Sequence, residues 1–367
     1  VILYVKEEKI TDIKSYLIEK NVIVKDYEDI YDDVKTFNDV WIDYERINSA
    51  LVLNMNTKLH KEVTCIEMMK AIKNEIEIKN SLECQIRDCV ALTRFMKWLK
   101  ENVYTETITE LRAAKYLNDL RREIDDYIEV GYGQIAAYNE NAAMMHYQAT
   151  EANYSILKKD GIFLIDSGGQ YLSGTTDITR TIGVGNVDKQ RKIDFTTVLI
   201  SHAQLAQLKF LEGCSGMTID IIARQPIWER ELDYQCGTGH GIGYLLGVHE
   251  GPQGIRWYKA LNRKEDTILK EGMIVTNEPG IYIKGSHGIR TENEMVIRKG
   301  VKNEYGQFLY FETMTFCPID LDLIDMDTLD KKTRLWLNAY HKQVFEKLSP
   351  YMNKEEVEWL RHYTREI

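Results

Sequence analysis

Gly161-Ile-Phe-Leu-Ile-Asp166 and Thr176-Asp-Ile-Thr-Arg-Thr-Ile182 read as two strands joined by the glycine-rich turn Ser167 to Gly174, a hairpin with an acid on each arm. Further along, Met273-Ile-Val-Thr-Asn-Glu278 and Gly288-Ile-Arg-Thr-Glu-Asn-Glu-Met-Val-Ile297 read as a second hairpin of the same kind. Between them, Asp194 to Glu212 and Thr218 to Glu231 read as helices. Two strand hairpins with associated helices imply an α+β domain whose pseudo-symmetric halves meet at a central site.

The acids make that site chemical. The spacing places Asp166 and Asp177, and likewise Glu278 and Glu292, on neighbouring antiparallel arms, where cross-strand side chains lie ~5 Å apart. Two carboxylates ~4 Å apart repel by ~4 kcal/mol at an effective dielectric of 20, and burying an unpaired carboxylate adds to that cost. Four together need cations, and two divalent ions would neutralise them. Oxygen-rich ligation with one imidazole suits manganese, cobalt, iron or zinc better than a thiolate site would. The plainer alternative is that Asp166 and Asp177 only begin and end turns; Glu278 and Glu292 speak against it, since Glu is not a favoured turn residue. On spacing alone, Glu294 competes with Glu292.

The imidazole is expected from Gly237-Thr-Gly-His-Gly-Ile-Gly243, where glycines around His240 would let the backbone pass close to an ion. The GxGxxG dinucleotide pattern is absent, as is a P-loop. Nine residues on, Val248-His-Glu-Gly-Pro252 carries His249, and no second histidine completes an HExxH motif. His60, His202, His287, His341 and His362 lack a comparable context and read as surface or packing residues.

The chain has 367 residues, 44% hydrophobic and 28% charged, with 5 Pro and 23 Gly, which excludes disorder and collagen-like structure. Its formal net charge of −10 and the lack of a basic stripe argue against nucleic-acid or anionic-membrane partners. The 6 cysteines show no CxxC spacing, which suits a reducing compartment, and the expected location is cytoplasmic. Asn153-Tyr-Ser155 matches a glycosylation sequon by pattern only.

Upstream of the hairpins, Ser81 to Glu101 has helical spacing, and a second helix opens at Thr107 with Glu110 as a capping box, running to about Ile124. The first 62 residues read differently. Val1 to Val5 reads as a buried strand, followed by a helix over Thr11 to Lys20 and strands at Asn21 to Val24 and Asp39 to Asp43. This is α/β structure and only part of a domain. The expected division is therefore a partial middle domain over 1–62 and a catalytic domain over 63–367, with the native protein longer than this chain.

Asp166, Asp177, His240, Glu278 and Glu292 match, in order and local sequence, the five metal ligands of the pita-bread metallopeptidases. Within that superfamily the chain resembles aminopeptidase P, the Xaa-Pro aminopeptidases, particularly the three-domain eukaryotic type. The resemblance runs from about residue 62 to 367. It rests on Asp166-Ser-Gly-Gly-Gln-Tyr171, Thr176-Asp-Ile-Thr-Arg-Thr181, Gly237-Thr-Gly-His-Gly-Ile-Gly243, Val248-His-Glu-Gly-Pro252, Asn277-Glu-Pro-Gly280 and Gly288-Ile-Arg-Thr-Glu-Asn293. It implies a pita-bread catalytic domain preceded by a creatinase-like α/β domain. By the same resemblance Asp166 would hold one metal ion, His240 and Glu278 the other, and Asp177 and Glu292 would bridge both, with Mn²⁺ the usual ion.

His249 resembles the family histidine that stabilises the tetrahedral intermediate, and His146, in Ala142-Ala-Met-Met-His-Tyr147, resembles a second substrate-side histidine. Ala142, Met144 and Met145 depart from the family's glycine and β-branched residues there. The family's Arg-x-Glu-Asn pattern selects Glu292 over Glu294. The chemistry implied is hydrolysis of the bond between a free N-terminal residue and a following proline by a metal-bridging hydroxide, with Glu278 moving the proton. The implied partners are peptides with proline at position two and a second copy of the chain in a homodimer. The competing readings are a prolidase restricted to dipeptides and a metal-free pita-bread protein that binds peptides without cleaving them.

Overall fold

The computed structural model describes residues 1–44, 46–61, 64–258 and 266–367. The chain divides into two compact units, Val1–Met68 and Met69–Ile367. The boundary expected between residues 62 and 63 lies outside the described residues.

In the first unit, Ile2–Tyr4 pairs with Ile23–Lys25 and Asp39–Ile42 pairs with Lys58–Lys61, both parallel. Parallel neighbours require a crossover, supplied here by the helices Lys14–Glu19 and Ser49–Asn54. Ile10, Leu17, Val34 and Ile42 are its buried apolar residues. The opening strand is not buried as its composition suggested. Among the described residues it pairs only with Ile23–Lys25, and Val1 and Ile2 are 92% and 42% exposed.

The second unit is built on two antiparallel sheets. In the first, Ile162–Ser167 lies between Ile178–Gly183 and Ile135–Tyr138. In the second, the order is Lys209–Leu211, Gly306–Thr313, Asn293–Asn303, Ile274–Asn277. The arm Met273–Glu278 pairs as expected with the end of Gly288–Ile297, through Asn277 opposite Asn293. Gly288 does not belong to that ladder; His287–Arg290 folds back on Gly280–Ile283 as a hairpin of its own.

Helices cover the sheets, and their ends differ from the sequence reading for local reasons. The long helix is Glu75–Asn102, beginning before Ser81 because Asn74 and Glu77 form a capping box, a signal that apolar spacing does not carry. The next, Glu110–Arg122, is capped by Thr109, not Thr107. Glu110 turns inward instead and accepts from the backbone N–H groups of Tyr138 and Ser155 and from the Tyr147 hydroxyl. The helix expected at 194–212 is Lys189–Ala206, capped by Asp188, and the chain then leaves it to pair Lys209–Leu211 with Phe308–Tyr310. The following helix is Gly216–Trp228. Phe95, Phe163, Phe195, Leu199 and Leu337 share one core cluster, which ties the long helices to the first sheet. No described helix is long and apolar enough to cross a membrane.

Candidate metal centre

Each acid stands at or next to a strand end, where the ladder stops and the side chain can turn into open space. Asp166 lies opposite Thr179 in the first hairpin, and Asp177 immediately precedes the strand Ile178–Gly183. Glu278 and Glu292 lie just beyond the Asn277–Asn293 pair. Glu292 N–H donates to Thr179 O at 3.2 Å, which joins the two hairpins at this level.

His240 comes from the short strand Gly239–His240. Its N–H donates to Thr276 Oγ1 at 3.0 Å, and Glu278 N–H donates to Thr238 O at 2.8 Å, so the glycine-rich segment is stitched to the strand carrying Glu278. The glycines around His240 make room for neighbouring backbone. A Cβ on Gly239 would stand 2.0 Å from Thr276 O, and one on Gly241 would stand 2.1 Å from Glu250 O. It is neighbouring backbone that needs the room.

All the residues singled out from the sequence line one cavity of about 180 Å³: Asp166, Asp177, His240, Glu278 and Glu292 with His249 and His146. The ligand atoms fall into groups within 4.8 Å of one another: Asp166 with Asp177 and Glu292; His240 with Glu278 and Glu292; Asp177 with His240 and His249. His249 sits edge-on to His240, ring centroids 4.1 Å apart and planes at 88°. His146 and His249 are exposed, on the solvent side, whereas Asp177, His240 and Glu292 are buried. Glu294 does not line the cavity. His202, His287 and His341 are buried packing residues, bonded respectively to Asn277 O, Asp194 and the Ile319 N–H.

Sequence reasoning passed over several groups that face the acids. The Tyr132 hydroxyl is within hydrogen-bond reach of Asp166 Oδ1 and lies 2.5 Å from Asp177 Oδ1. Arg290 donates to Asp166 Oδ2, to Thr179 Oγ1 at 3.0 Å and to the Tyr282 hydroxyl at 2.6 Å. Cys236 also lines the cavity. Arg290 stood within a quoted motif; Tyr132, between Gly131 and Gly133, gave no signal.

The electrostatics are those of a cation site. Burial pushes the carboxyls of Asp177, Glu278 and Glu292 up, Glu292 furthest, with the charges of Asp177 and Glu278 adding to it. Burial alone would lower the His240 imidazole, but the hydrogen bond to Asp177 and the charge of Glu278 more than offset it and raise it. Burial and the charge of Glu278 push the Cys236 thiol up to about 11, so it is not a thiolate donor near neutrality.

His240 Nδ1 lies 3.1 Å from Gly241 O, and Nε2 lies 3.4 Å from both Asp177 Oδ2 and Glu278 Oε1. With the proton assigned to Nδ1, the Nε2 lone pair faces carboxylate oxygens. A bare lone pair there is repelled, and a proton or a metal cation between them relieves it. A backbone carbonyl against the far nitrogen is the usual setting of a metal-bound imidazole. One guanidinium, Arg290, cannot balance four carboxylates, so this donor set fits divalent cations.

A model of metallopeptidase family M24 matches residues 79–299, one of the C-terminal region of peptidase M24 matches 307–367, and one of the creatinase/prolidase N-terminal domain matches 1–77. The chain is 36% identical to a probable Xaa-Pro aminopeptidase P of Coprinopsis cinerea, aligned over 100% of this chain and 62% of that protein. It is 35% identical to Xaa-Pro aminopeptidase 1 of Dictyostelium discoideum, over 100% of this chain and 60% of that one. The chain thus spans about 60% of the length of these relatives. Among solved structures it is similar to the X-prolyl aminopeptidase of Caenorhabditis elegans, described as a cytosolic enzyme with a di-nuclear active site. There the TM-score is 0.92 and the identity 28%, covering 100% of this chain and 62% of that one. It also resembles a prolidase from Pyrococcus furiosus, with TM-score 0.65 and 26% identity, over 86% of each chain. The second unit has the pita-bread fold.

Proposed function

Because this chain belongs to metallopeptidase family M24, we propose that it carries the catalytic centre of a Xaa-Pro aminopeptidase. The observation that carries the reading is the convergence of Asp166, Asp177, His240, Glu278 and Glu292 on one cavity in overlapping ligand groups. In this reading Asp166 would hold one cation, His240 and Glu278 would hold the other, and Asp177 and Glu292 would contribute to both. The cations are divalent, with Mn²⁺ proposed from the resemblance and from the oxygen-rich donor set. When bound, they supply Lewis acidity and lower the pKa of water towards neutrality.

The chain's own residues do the rest. Glu278 takes a proton from the attacking water and returns it to the leaving proline nitrogen. His249, with His146 at the solvent side, donates to the carbonyl oxygen as it gains charge. Tyr132 holds Asp166 and Asp177, and Arg290 holds Asp166, from the cavity wall. Proline's tertiary amide has no N–H, so the pocket reads the ring by shape.

The substrate proposed is a peptide with a free amino terminus and proline at position two. A cytosolic location is supported by the six unpaired cysteines and by the description of the nematode enzyme. A homodimer is proposed on the resemblance, with light scattering as its test. The division into a creatinase-like domain over 1–62 and a catalytic domain over 63–367 is proposed on the parallel pairing of the first unit, whereas the compact units divide at Met68 and Met69 and the family models meet between residues 77 and 79.

The deciding experiment is hydrolysis of a Xaa-Pro-Yaa tripeptide and a Xaa-Pro dipeptide, with and without Mn²⁺ after chelation. Metal-dependent release of the first residue from the tripeptide supports the proposal. Preference for the dipeptide would mean a prolidase, and no hydrolysis at full metal occupancy a binding protein.

A further inference from the structure

We propose that Glu294 is a positioning residue: it holds the backbone of Asp177, and through it the Asp177 carboxylate, without entering the cavity. The inference rests on the metal-centre reading above. Glu294 is fully buried, yet it is absent from the cavity lining and from every group of candidate metal ligands among the described residues. Its carboxylate does something else there. Glu294 Oε1 accepts the backbone N–H of Asp177 at 2.7 Å, a bond between residues 117 apart in sequence that crosses from the second hairpin to the first.

Asp177 stands where the ladder of the first hairpin has ended: Thr176 N–H donates to Gly169 O, and the Ile178–Gly183 pairing begins one residue later. Its own N–H therefore points out of the ladder, and a buried N–H must find a partner elsewhere. Glu294 is itself held on several sides. It lies opposite Thr276 in the second sheet, its N–H donates to Thr315 Oγ1 at 2.9 Å, and its carbonyl accepts from Met314 N–H at 2.9 Å. The Thr315 hydroxyl in turn donates to Gln85 Oε1 at 3.0 Å, tying the long helix into the same arrangement.

An acid is a costly way to fill a dry site, and an apolar side chain would pack there without that cost. What an apolar side chain cannot do is accept from Asp177. Asp177 belongs to two of the candidate ligand groups, so a shift of its backbone would disturb both.

The test uses the metal-free protein and two variants of similar volume, Glu294→Gln, which keeps an acceptor, and Glu294→Met, which does not. Mn²⁺ affinity is measured by titration calorimetry beside the melting temperature of each metal-free form. Glu294→Gln is expected to bind like wild type. Glu294→Met is expected to bind at least ~10-fold more weakly, as loss of a group supporting a metal ligand does. A Glu294→Met protein that melts earlier but binds Mn²⁺ like wild type would overturn the proposal in favour of a purely structural role. A Glu294→Gln protein as weak as Glu294→Met would overturn it too, because the acceptor would not be what matters. If Glu294→Met is not recovered folded, Glu294→Asp replaces it: its shorter reach should weaken binding, and wild-type affinity would overturn the proposal. Wild-type protein that binds no Mn²⁺ would overturn this proposal and the metal-centre reading together, whereas normal wild-type binding with unaltered variants would overturn this one alone.

Discussion

Thr179 and Glu292 clasp each other twice: the Thr179 hydroxyl donates to Glu292 Oε2 at 2.6 Å, and Glu292 N–H donates to Thr179 O at 3.2 Å. One residue from each hairpin is thus fixed in both backbone and side chain. Thr179 lies opposite Asp166, so this clasp sets the distance between the acid of one half and the acid of the other. Arg180 extends it, donating to Glu292 O at 2.7 Å and Asn293 Oδ1 at 2.8 Å from a fully buried position.

Asp177→Asn should abolish turnover and lower the metal content of the purified protein, since a neutral amide cannot offset two cations held close together. Metal analysis beside the peptide assay checks it, and full occupancy with wild-type activity would refute the assignment.

His249→Ala should behave differently. As an oxyanion donor it should cost about 100-fold in kcat while the metal stays bound. Loss of metal in this variant would instead make His249 a ligand, a role that its closeness to Asp177 and His240 allows geometrically.

Arg290→Lys keeps a positive charge but cannot reach Asp166, Thr179 and Tyr282 from one planar group as the guanidinium does. Metal affinity should fall about tenfold, with little change in fold by circular dichroism. Unchanged affinity would show that charge alone is needed.

The pH dependence of stability should carry a signature of His341. Burial, aided by the charge of Arg180, lowers its imidazole to about 3, while the unfolded chain binds that proton near pH 6.5. The contribution is therefore complete above pH 6.5 and is lost as pH falls towards 3, at up to ~1.4 kcal/mol per unit. Melting curves of wild type and His341→Gln should run parallel above pH 7 and converge on acidification to pH 5. Curves parallel throughout would mean that the His341 imidazole titrates alike in the folded and unfolded chain.

Substrate discrimination tests the pocket directly. Xaa-Pro-Yaa should be cleaved only after its first residue. The Xaa-Ala-Yaa analogue should be at least ~10-fold poorer, within the 1–3 kcal/mol that pocket fit supplies, and the N-acetylated peptide should be inert. Equal rates on the proline and alanine peptides would indicate a general metallo-aminopeptidase, and cleavage of the acetylated one an endopeptidase.

Much of this is legible in the sequence. The strands Ile162–Ser167 and Ile178–Gly183 follow from apolar runs broken by glycine, and the acids stand out because apolar strands tolerate them poorly. Helix starts are less legible. Asn74 and Thr109 cap through their side chains, while Thr107 looked equivalent and Glu110 was drawn inward by Tyr138, Ser155 and Tyr147. Three of those partners lie well outside the helix, so no window around Thr107 contains them.

By itself the sequence determined which residue types were at hand: four strand-end acids, a glycine-flanked histidine and two hairpins of matching pattern. Only the tertiary structure decided which atoms face one another. Glu292 and Glu294 share a strand pattern, yet one opens onto the cavity and the other turns to the N–H of Asp177. Tyr132 and Arg290 reach the acids from positions 34 and 124 residues away from Asp166. The physical reason is that strand pattern depends on neighbours in the chain, whereas the direction of a side chain at a strand end depends on the long-range pairing that holds that end, here the clasp between Thr179 and Glu292.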